Sequence, residues 1–506
     1  MTEAAIKPKR VAEGDNESGK VKLERTVGLV SGIGLTMGTM IGSGIFATAP
    51  GVVKDSGSIG LSLLIWLLCG VIALFGAISY CELCTMITKS GGEYQYLYEA
   101  FGPIPAFLFC WTAVVVLRPA TVAAIALTFS TYLVKALPLD DCNLGEWPLK
   151  LFAIAVILTI AFVNVMSSSW AAKVQNFFTG AKLLAIVFIV IIGFIEIFSG
   201  HTDILATGFE GSEYNPFKLG IAFYSGLWAY DSWNTATYIT EEIKNPQKNL
   251  PRALLIGIPL VTICYLLTNI AYFSVISKSE IVHTQAVAIL LGEKTIPEYF
   301  IWVIPLAVCF STFGATNGCL FAASRLTFAA AREGHLMTIL SYCNVTRKTP
   351  SVAIFFLTGL SCIYVLPSDF TTLVNYFSFS AWIFYGLTVF SVLFMRFTQP
   401  DRLRPIKVPL IIPIIFVIIA AYLVVAPIIN KPEWPYLYAA IFIFSGLPVY
   451  YLPFVYFKLR QPKFLEKVIT FLQYVLNVSP PADATDENEI DGNAVEMDEK
   501  PNEQEA

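Results

Sequence analysis

Long apolar runs, separated by short polar segments, repeat along most of this chain. A helix needs roughly 20 apolar residues in succession to cross the hydrocarbon core of a bilayer, and most of these runs reach that length. The pattern therefore predicts an all-α membrane protein with twelve spanning segments. The predicted spans are residues 27–53, 58–84, 104–136, 147–166, 174–199, 216–243, 251–277, 300–331, 351–367, 370–396, 406–429 and 434–457.

The composition supports a polytopic membrane protein. Of the 506 residues, 56% are hydrophobic and 14% are charged, whereas soluble domains are about 25% charged. Residues 1–26 are polar and predict an N-terminal tail without a cleavable signal peptide. Residues 458–506 predict a second tail, which is acidic and expected to be disordered beyond Val478. His201, His283 and His335 fall in predicted loops or at span ends, which disfavours histidine-based chemistry within the membrane.

The distribution of lysine and arginine predicts the orientation. With the N-terminus in the cytoplasm, the cytoplasmic segments carry 23 of these residues and the opposite segments carry 3. Basic residues collect on the cytoplasmic side of membrane proteins, so both termini are expected there. The N-glycosylation sequons at Asn16, Asn344 and Asn477 then also lie in the cytoplasm, and the chain is expected to be unglycosylated.

The first predicted span contains a cluster of glycines. Gly38, Gly42 and Gly44 lie within seven residues, and each glycine in a helix interior costs roughly 1 kcal/mol relative to alanine. One interpretation is a helix broken in mid-membrane, whose freed backbone groups face a buried site that suits a carboxylate. The other is a small-residue surface for close helix packing, because Gly38 and Gly42 have the spacing of that motif. This stretch alone favours neither interpretation.

A second interruption is predicted in the sixth span. Asp231 lies there in a polar and aromatic stretch that also contains Gly226, and ionisable residues inside spans mark function by default. The two interruptions occupy corresponding positions in two halves of five spans, which indicates a transporter site. The alternative is a helix kink with Asp231 hydrogen-bonded to a neighbour. The predicted halves are about 27–199 and about 216–396, and two further spans follow within 406–457.

The other ionisable residues in the spans carry weaker signals. Lys182 lies near the cytoplasmic start of the fifth span, where a lysine side chain can extend to the interface. Arg118 precedes Pro119 in the third span, a pattern that suits a kink. Neither Glu82 in the second span nor Arg325 in the eighth indicates a specific role.

One cysteine differs from the rest in its predicted location. Of the ten cysteines, only Cys142 lies in a predicted extracellular loop, residues 137–146. A cysteine on the oxidising side without an internal mate indicates a disulfide to another chain. The alternative is an unpaired, exposed thiol.

Several longer motifs are spaced along the chain between about residues 23 and 480, and together they resemble a known family. They are Gly38-Thr39-x-Ile41-Gly42-Ser43-Gly44-Ile45-Phe46, Lys89-Ser90-Gly91-Gly92-Glu93-Tyr94, Phe101-Gly102-Pro103, Thr240-Glu241-Glu242-x-x-Asn245-Pro246, Arg332-Glu333-Gly334-His335 and Arg404-Pro405-x-Lys407-Val408-Pro409. With these motifs the chain resembles the light subunits of heteromeric amino-acid transporters, in the amino acid–polyamine–organocation superfamily.

The resemblance implies a LeuT-like fold of two inverted five-span repeats, in which helices 1 and 6 are broken. It implies that amides near Ser43 and Gly44 bind the substrate carboxylate and that carbonyl groups of Met40 and Trp228 accept from its amino group. The Trp228 side chain is the implied extracellular gate. The resemblance also implies that Lys182 takes the place of a sodium ion. This role replaces the interpretation in which the Lys182 side chain extends to the membrane interface. The implied substrate-binding residues are Met40, Ile41, Gly42, Ser43, Gly44, Trp228, Ala229, Asp231 and Asn234.

Three positions can be compared with the family in more detail. The stretch around Asp231 is most similar to the member that carries cystine, dibasic and neutral amino acids. Met40 stands where isoleucine is usual, and a contact through its main-chain carbonyl is expected to survive that difference. Cys142 matches the cysteine that joins these light subunits to a single-span, glycosylated heavy subunit.

The sequence thus predicts a plasma-membrane exchanger that works by alternating access without sodium and without a cofactor or metal. Dibasic amino acids, cystine and large neutral amino acids are the expected substrates. An L-type transporter restricted to neutral amino acids and a single-chain uniporter or proton-coupled transporter are the alternatives. An enzyme is disfavoured because the charged residues in the spans are scattered, and no ring of charges indicates a channel.

Overall fold

The computed structural model describes residues 25–136, 146–284, 286–366, 370–430, 432, 434–451 and 463–480. Within these ranges, nine helices are long and apolar enough to cross a membrane. The predicted all-α membrane fold is confirmed in this respect. Cys142, nearly all of the N-terminal tail and the acidic end of the chain lie outside the described residues.

The elements follow the predicted spans closely in position. The α-helices are Leu29–Met40, Gly44–Ala47, Ala49–Ser56, Ile59–Met86, Glu93–Phe101, Pro103–Thr112, Arg118–Ala136, Glu146–Met166, Ser168–Phe198, Asp203–Ala206, Pro216–Ala229, Pro246–Val275, Lys278–His283, Val287–Thr295, Val303–Arg332, Ser351–Val365, Phe370–Thr398, Ile411–Asn430, Trp434–Tyr450 and Lys463–Leu476. A π-helix covers Ala113–Leu117, and 3₁₀-helices cover Thr235–Glu242, Glu298–Phe300 and Thr338–Ser341. The short strands Cys343–Asn344 and Val478–Ser479 pair antiparallel.

The first predicted span is interrupted at residues 41–43, here called the first break. The helix Leu29–Met40 ends because the amide of Gly42 donates to the Met40 carbonyl at 2.8 Å, which leaves the Gly38 carbonyl outside the helical pattern. Gly38 also packs closely: a Cβ there would lie 2.2 Å from both Gln175 Nε2 and Thr179 Oγ1. Both interpretations of the glycine cluster therefore hold, because the helix is broken and its small residues also allow close packing.

The sixth predicted span is interrupted at residues 230–234, here called the second break. The helix Pro216–Ala229 ends before it, and the chain continues as the 3₁₀-helix Thr235–Glu242. Within the break, Ser232 has a φ of 68°. This left-handed conformation is uncommon for a residue with a Cβ and persists only where its surroundings impose it.

The kink predicted at Arg118 and Pro119 takes the form of a π-helix. The segment Ala113–Leu117 directly precedes the helix Arg118–Ala136. Proline lacks an amide hydrogen and cannot make the normal helical bond, and a π-helical turn is one local adjustment that accommodates such an irregularity. The turn carries the buried Arg118 side chain into the interior of the protein.

Buried ion pairs link separate helices on the side of the protein that is predicted to be cytoplasmic. Arg325 Nε lies 2.6 Å from Glu242 Oε1, and both side chains are almost fully buried. Glu82 accepts from Arg396 Nε at 2.7 Å and from the Val408 amide at 2.9 Å. Removing one partner of such a buried pair leaves an uncompensated charge, which is strongly destabilising. These pairs therefore hold together segments that lie far apart in sequence.

A surface ion pair orders the connection on the opposite side. The loop after the helix Pro246–Val275 contains the helix Lys278–His283, whose Glu280 lies 2.6 Å from Lys294 Nζ. The pKa of Glu280 falls to about 2, because its carboxylate accepts hydrogen bonds from Lys294 and from Ser277.

The predicted C-terminal tail, residues 458–506, contains ordered structure before its acidic stretch. Part of it forms the helix Lys463–Leu476, and Val478–Ser479 pairs with Cys343–Asn344. The physical reason is an apolar face on this helix, formed by Ile469, Leu472 and Leu476, which packs against the protein. The expectation of disorder in the acidic stretch, from residue 481 onward, concerns residues outside those described.

Candidate functional site

The two breaks lie against each other in the interior of the protein. A Cβ on Gly44 would lie 2.4 Å from Ala229 Cα, so only glycine allows this approach. The Tyr265 hydroxyl, on the helix Pro246–Val275, lies 2.7 Å from the Met40 carbonyl and 2.8 Å from the Ala229 carbonyl. One tyrosine thus bridges the ends of the two helices that stop at the breaks.

A cleft opens where the breaks meet, with about 280 Å³ of empty space that includes open solvent. Six of the predicted site residues line it, four from the first break and its flanks and two from the second. The lining residues are Thr39, Met40, Gly42, Ser43, Gly44, Thr121, Ile125, Trp228, Asp231 and Ser232. Sequence reasoning did not single out Thr121, Ile125 and Ser232, because a small or apolar residue within a span carries no signal of its own.

Three predicted site residues lie beside the cleft. The Ile41 carbonyl points toward neighbouring helices and accepts from Ser311 Oγ at 3.2 Å. Ala229 contributes the close contact with Gly44. The side chain of Asn234 donates to Glu93 Oε1 and so faces a buried polar network behind the cleft.

Lys182 lies against the first break. Its side chain is fully buried, and Nζ donates to the carbonyl oxygens of Gly38 and Ile41, at 2.6 Å each. Because the ammonium group points inward, the interfacial interpretation of Lys182 does not hold. Charge-assisted bonds of this kind are stronger than neutral ones and satisfy carbonyl groups that the broken helix leaves open.

Lys182 belongs to the helix Ser168–Phe198. Two more side chains of that helix contact the helix Leu29–Met40 nearer to its start. Thr179 Oγ1 lies 3.0 Å from the Gly34 carbonyl, and Asn176 Nδ2 donates to Ser31 Oγ at 3.1 Å. Residues 176, 179 and 182 are three apart and therefore lie on one helix face. We call Asn176, Thr179 and Lys182 the polar ladder.

Asp231 is 9% exposed and forms part of the cleft wall. Its Oδ1 accepts from the Tyr385 hydroxyl at 2.7 Å, and its Oδ2 accepts from Ser232 Oγ at 3.1 Å. The neighbour bonds of the kink interpretation are therefore present. Since Asp231 also borders the cleft, the carboxylate is held in place beside the space where a ligand can lie.

A buried network of charged and aromatic groups lies behind Asp231. Glu93 Oε1 accepts from Tyr80 OH at 3.0 Å, and the Arg118 guanidinium lies over the Tyr238 ring, 4.8 Å from its centroid. Arg118 is near enough to interact electrostatically with both Glu93 and Asp231. Glu93 belongs to a motif noted in the sequence, whereas Tyr80, Tyr238 and Tyr385 gave no sequence signal of their own.

Trp228 separates the cleft from a second cavity. This cavity has about 320 Å³ of empty space, again including open solvent, and it shares Trp228 and Asp231 with the cleft. The Trp228 ring packs edge-to-face on Phe377, with centroids 4.9 Å apart. The Trp228 side chain is therefore part of the wall of both spaces.

A buried cleft between two interrupted helices, within a set of membrane-spanning helices, defines a membrane transporter. A family model described as amino acid permease matches residues 27–447, and the chain belongs to that family. It is therefore a transport protein and not an enzyme. Within the described residues, no group of three or more His, Cys, Asp or Glu residues could hold a metal ion.

Its relatives specify the family further. Mouse b(0,+)-type amino acid transporter 1 is 47% identical over 485 residues, which cover 95% of this chain and 99% of that protein. Human cystine/glutamate transporter is 39% identical over 468 residues, 92% of each chain. Mouse large neutral amino acids transporter small subunit 2 is 41% identical over 467 residues, 92% of this chain and 87% of that protein. The predicted similarity to light subunits of heteromeric amino-acid transporters is confirmed.

The contact between Gly44 and Ala229 gives a prediction with a matched control. Gly44→Ala forces the two breaks apart, because the new Cβ meets main-chain atoms of Ala229. We expect at least a tenfold loss of amino-acid uptake per molecule at the surface, together with a lower unfolding temperature in detergent. Gly180→Ala is the control, since a Cβ at that helical position meets open space. An unchanged Gly44→Ala variant would show that the breaks tolerate separation.

Proposed function

We propose that this protein is a sodium-independent amino-acid exchanger that works by alternating access. Dibasic amino acids, cystine and large neutral amino acids are its proposed substrates. The observation that carries the proposal is Asp231, an oriented carboxylate on the wall of a cleft between two broken helices. The similarity to b(0,+)-type amino acid transporter 1 over nearly the whole of both chains supports it.

The main chain of the breaks is the proposed site for the groups that all α-amino acids share. Amides near Ser43 and Gly44, at the start of a helical segment, suit the carboxylate. Carbonyl groups of Met40 and Trp228 suit the ammonium group. The Tyr265 hydroxyl has one proton and two carbonyl neighbours, so it donates to Met40 or to Ala229 but not to both at once. The Met40 carbonyl is therefore open to a substrate in one of the two arrangements.

Selection among side chains is assigned to Asp231. The network beside the cleft contains two carboxylates, Asp231 and Glu93, within electrostatic reach of one guanidinium, Arg118. A unit charge pair at about 4 Å and an effective dielectric near 20 is worth about 4 kcal/mol. Desolvation of the two ions removes much of that gain. The remaining preference for a cationic substrate is roughly 1–2 kcal/mol, or about tenfold.

Lys182 is the proposed fixed cation of the first break. Its ammonium group donates to the Gly38 and Ile41 carbonyl groups at 2.6 Å. Such main-chain oxygens are what sodium-coupled transporters of this design use to coordinate their ion. A covalently attached cation at this place makes a sodium ion unnecessary.

Alternating access requires contacts that break on one side of the site. Asn176 and Thr179 of the polar ladder make the proposed contacts of this kind, since they join the helix Ser168–Phe198 to the helix Leu29–Met40. The proposed architecture is twelve spans in a LeuT-like arrangement, with inverted repeats of about 27–199 and about 216–396 and two further spans. Trp228 is the proposed gate on the extracellular side, where it packs on Phe377.

The proposed location is the plasma membrane, with both termini in the cytoplasm, as the distribution of basic residues favours. The proposed partner is a single-span, glycosylated heavy subunit, joined through a disulfide at Cys142. The name of one relative, large neutral amino acids transporter small subunit 2, supports a heteromeric assembly. The same relative favours the second candidate function, a transporter restricted to neutral amino acids, which excludes arginine.

Substrate choice is tested by removing the charge of Asp231. Asp231→Asn keeps a group that can accept from Tyr385, so the expected loss concerns charge rather than packing. We expect arginine uptake to fall about tenfold, while leucine uptake changes less than twofold. Both are measured as labelled uptake per surface molecule, with the exposed Asp203→Asn as control. Equal losses for arginine and leucine would assign Asp231 a structural role, and a parent protein that excludes arginine would favour the neutral-only alternative.

Sodium independence is tested at Lys182. Uptake by the parent protein is expected to be the same in sodium and in choline buffer. Lys182→Ala removes two hydrogen bonds from a charged donor, each worth about 1.5–3 kcal/mol, and we expect at least a tenfold loss of uptake. Lys173→Ala, an exposed lysine of the same helix, is the matched control. A steep dependence of parental uptake on sodium would contradict the proposed role.

The disulfide is tested on non-reducing gels after co-expression with a candidate heavy subunit. The parent chain is expected to migrate with the larger glycoprotein, and Cys142→Ser is expected to abolish the shift. Cys264→Ser, which removes a half-buried thiol, is the control. Migration of the parent at its own mass, from membranes prepared under oxidising conditions, would show that Cys142 forms no such bond.

A further inference from the structure

The helix Lys463–Leu476 packs on the protein with only part of its apolar surface. Ile469, Leu472 and Leu476 form its inner face. They belong to a small apolar cluster with Leu340 and Val352, separate from the main core. The antiparallel pair of Cys343–Asn344 with Val478–Ser479 fixes the end of the helix at this position.

A second apolar face of the same helix is exposed. Phe471 is 64% exposed and Val475 is 57% exposed, and their spacing of four residues puts them on one side. Tyr474 is 89% exposed and lies beside them with the exposed Lys467. A helix with protein on one apolar side and apolar residues exposed on the next needs a second apolar surface to cover them.

The location of this helix identifies that surface. Its cluster includes Val352 and Phe356, at the start of the helix Ser351–Val365. That helix is apolar and exposes Phe355 by 45% and Ile363 by 60%, as expected of side chains in contact with lipid. The helix Lys463–Leu476 therefore lies beside the start of an apolar helix, where the headgroup layer of a bilayer is expected.

Charge on and around the helix matches an anionic lipid surface. The helix carries Lys463 and Lys467 against one acidic residue, Glu466. Arg347 and Lys348 follow the strand that pairs beside it. Lysines and tyrosine at the border of an apolar helix face are typical of helices that lie in the membrane interface.

We propose that Phe471, Tyr474 and Val475 insert into the adjacent lipid leaflet and that Lys467 binds the headgroups of anionic phospholipids there. The exposed apolar face then continues the lipid-facing surface of the spanning helices. This interaction is independent of the substrate and of the heavy subunit, so its outcome does not depend on the function proposed above.

The lipid contact is tested by photo-crosslinking the full-length protein in nanodiscs. p-Benzoylphenylalanine replaces Phe471 in one sample and Thr470, the exposed neighbour on the polar side, in the matched control. After irradiation, intact-mass analysis is expected to show phospholipid adducts at position 471 at several times the yield at position 470. Equal yields, or an adduct of protein mass at position 471, would overturn the proposal.

The preference for anionic lipid is tested with Lys467→Glu in the background that carries the photo-crosslinker at position 471. Adducts with phosphatidylserine are expected to exceed those with phosphatidylcholine in equimolar nanodiscs. One basic residue near an anionic surface changes this preference about fivefold, so Lys467→Glu is expected to remove it. Lys467→Arg is expected to keep it. A preference that is the same in all three proteins would overturn the role of Lys467, and unchanged unfolding temperatures would show that the variants are folded.

Discussion

The structure depends on how main-chain polar groups are satisfied where two membrane helices are interrupted. Lipid provides no hydrogen-bonding partner, so every amide and carbonyl group of a break needs one within the protein or in a ligand. The Lys182 ammonium group meets this requirement for Gly38 and Ile41, and the Tyr265 hydroxyl meets it for either Met40 or Ala229. Buried polar groups that would be costly alone therefore stabilise an irregular backbone and leave part of it facing a cleft.

Much of this arrangement was predictable because its signals are local. Glycines and a carboxylate inside apolar runs conflict with a continuous membrane helix, so they indicated both breaks. The side chains that bind the polar groups of the breaks gave weaker signals in the sequence. Tyr265 and Tyr385 are ordinary residues for a membrane helix, and only the packing of distant helices brings their hydroxyl groups to the breaks. The direction of the Lys182 side chain was equally undetermined, because a lysine near a span end can extend either to the interface or inward.

The C-terminal segment shows a different limit of sequence reasoning. The helix Lys463–Leu476 lies between the last predicted span and a strongly acidic stretch, and the charge of that stretch dominated the prediction of a tail. What orders the helix is the packing of its apolar face on the protein together with the pairing of Val478–Ser479 with Cys343–Asn344, more than a hundred residues away in sequence. No local sequence pattern predicts a two-residue antiparallel pair, so only the structure shows this part of the fold.

The first break holds its neighbours through main-chain atoms, which has a consequence for how this scaffold changes over time. Lys182, Tyr265 and Ser311 contact carbonyl oxygens that every amino acid supplies. A replacement of Met40 by another apolar residue therefore alters the shape of the cleft and leaves these bonds in place. Asp231 differs, because it contacts Tyr385 and borders the cleft through its side chain. Side chains that line the cleft can thus change while the main-chain contacts that stabilise the break stay the same.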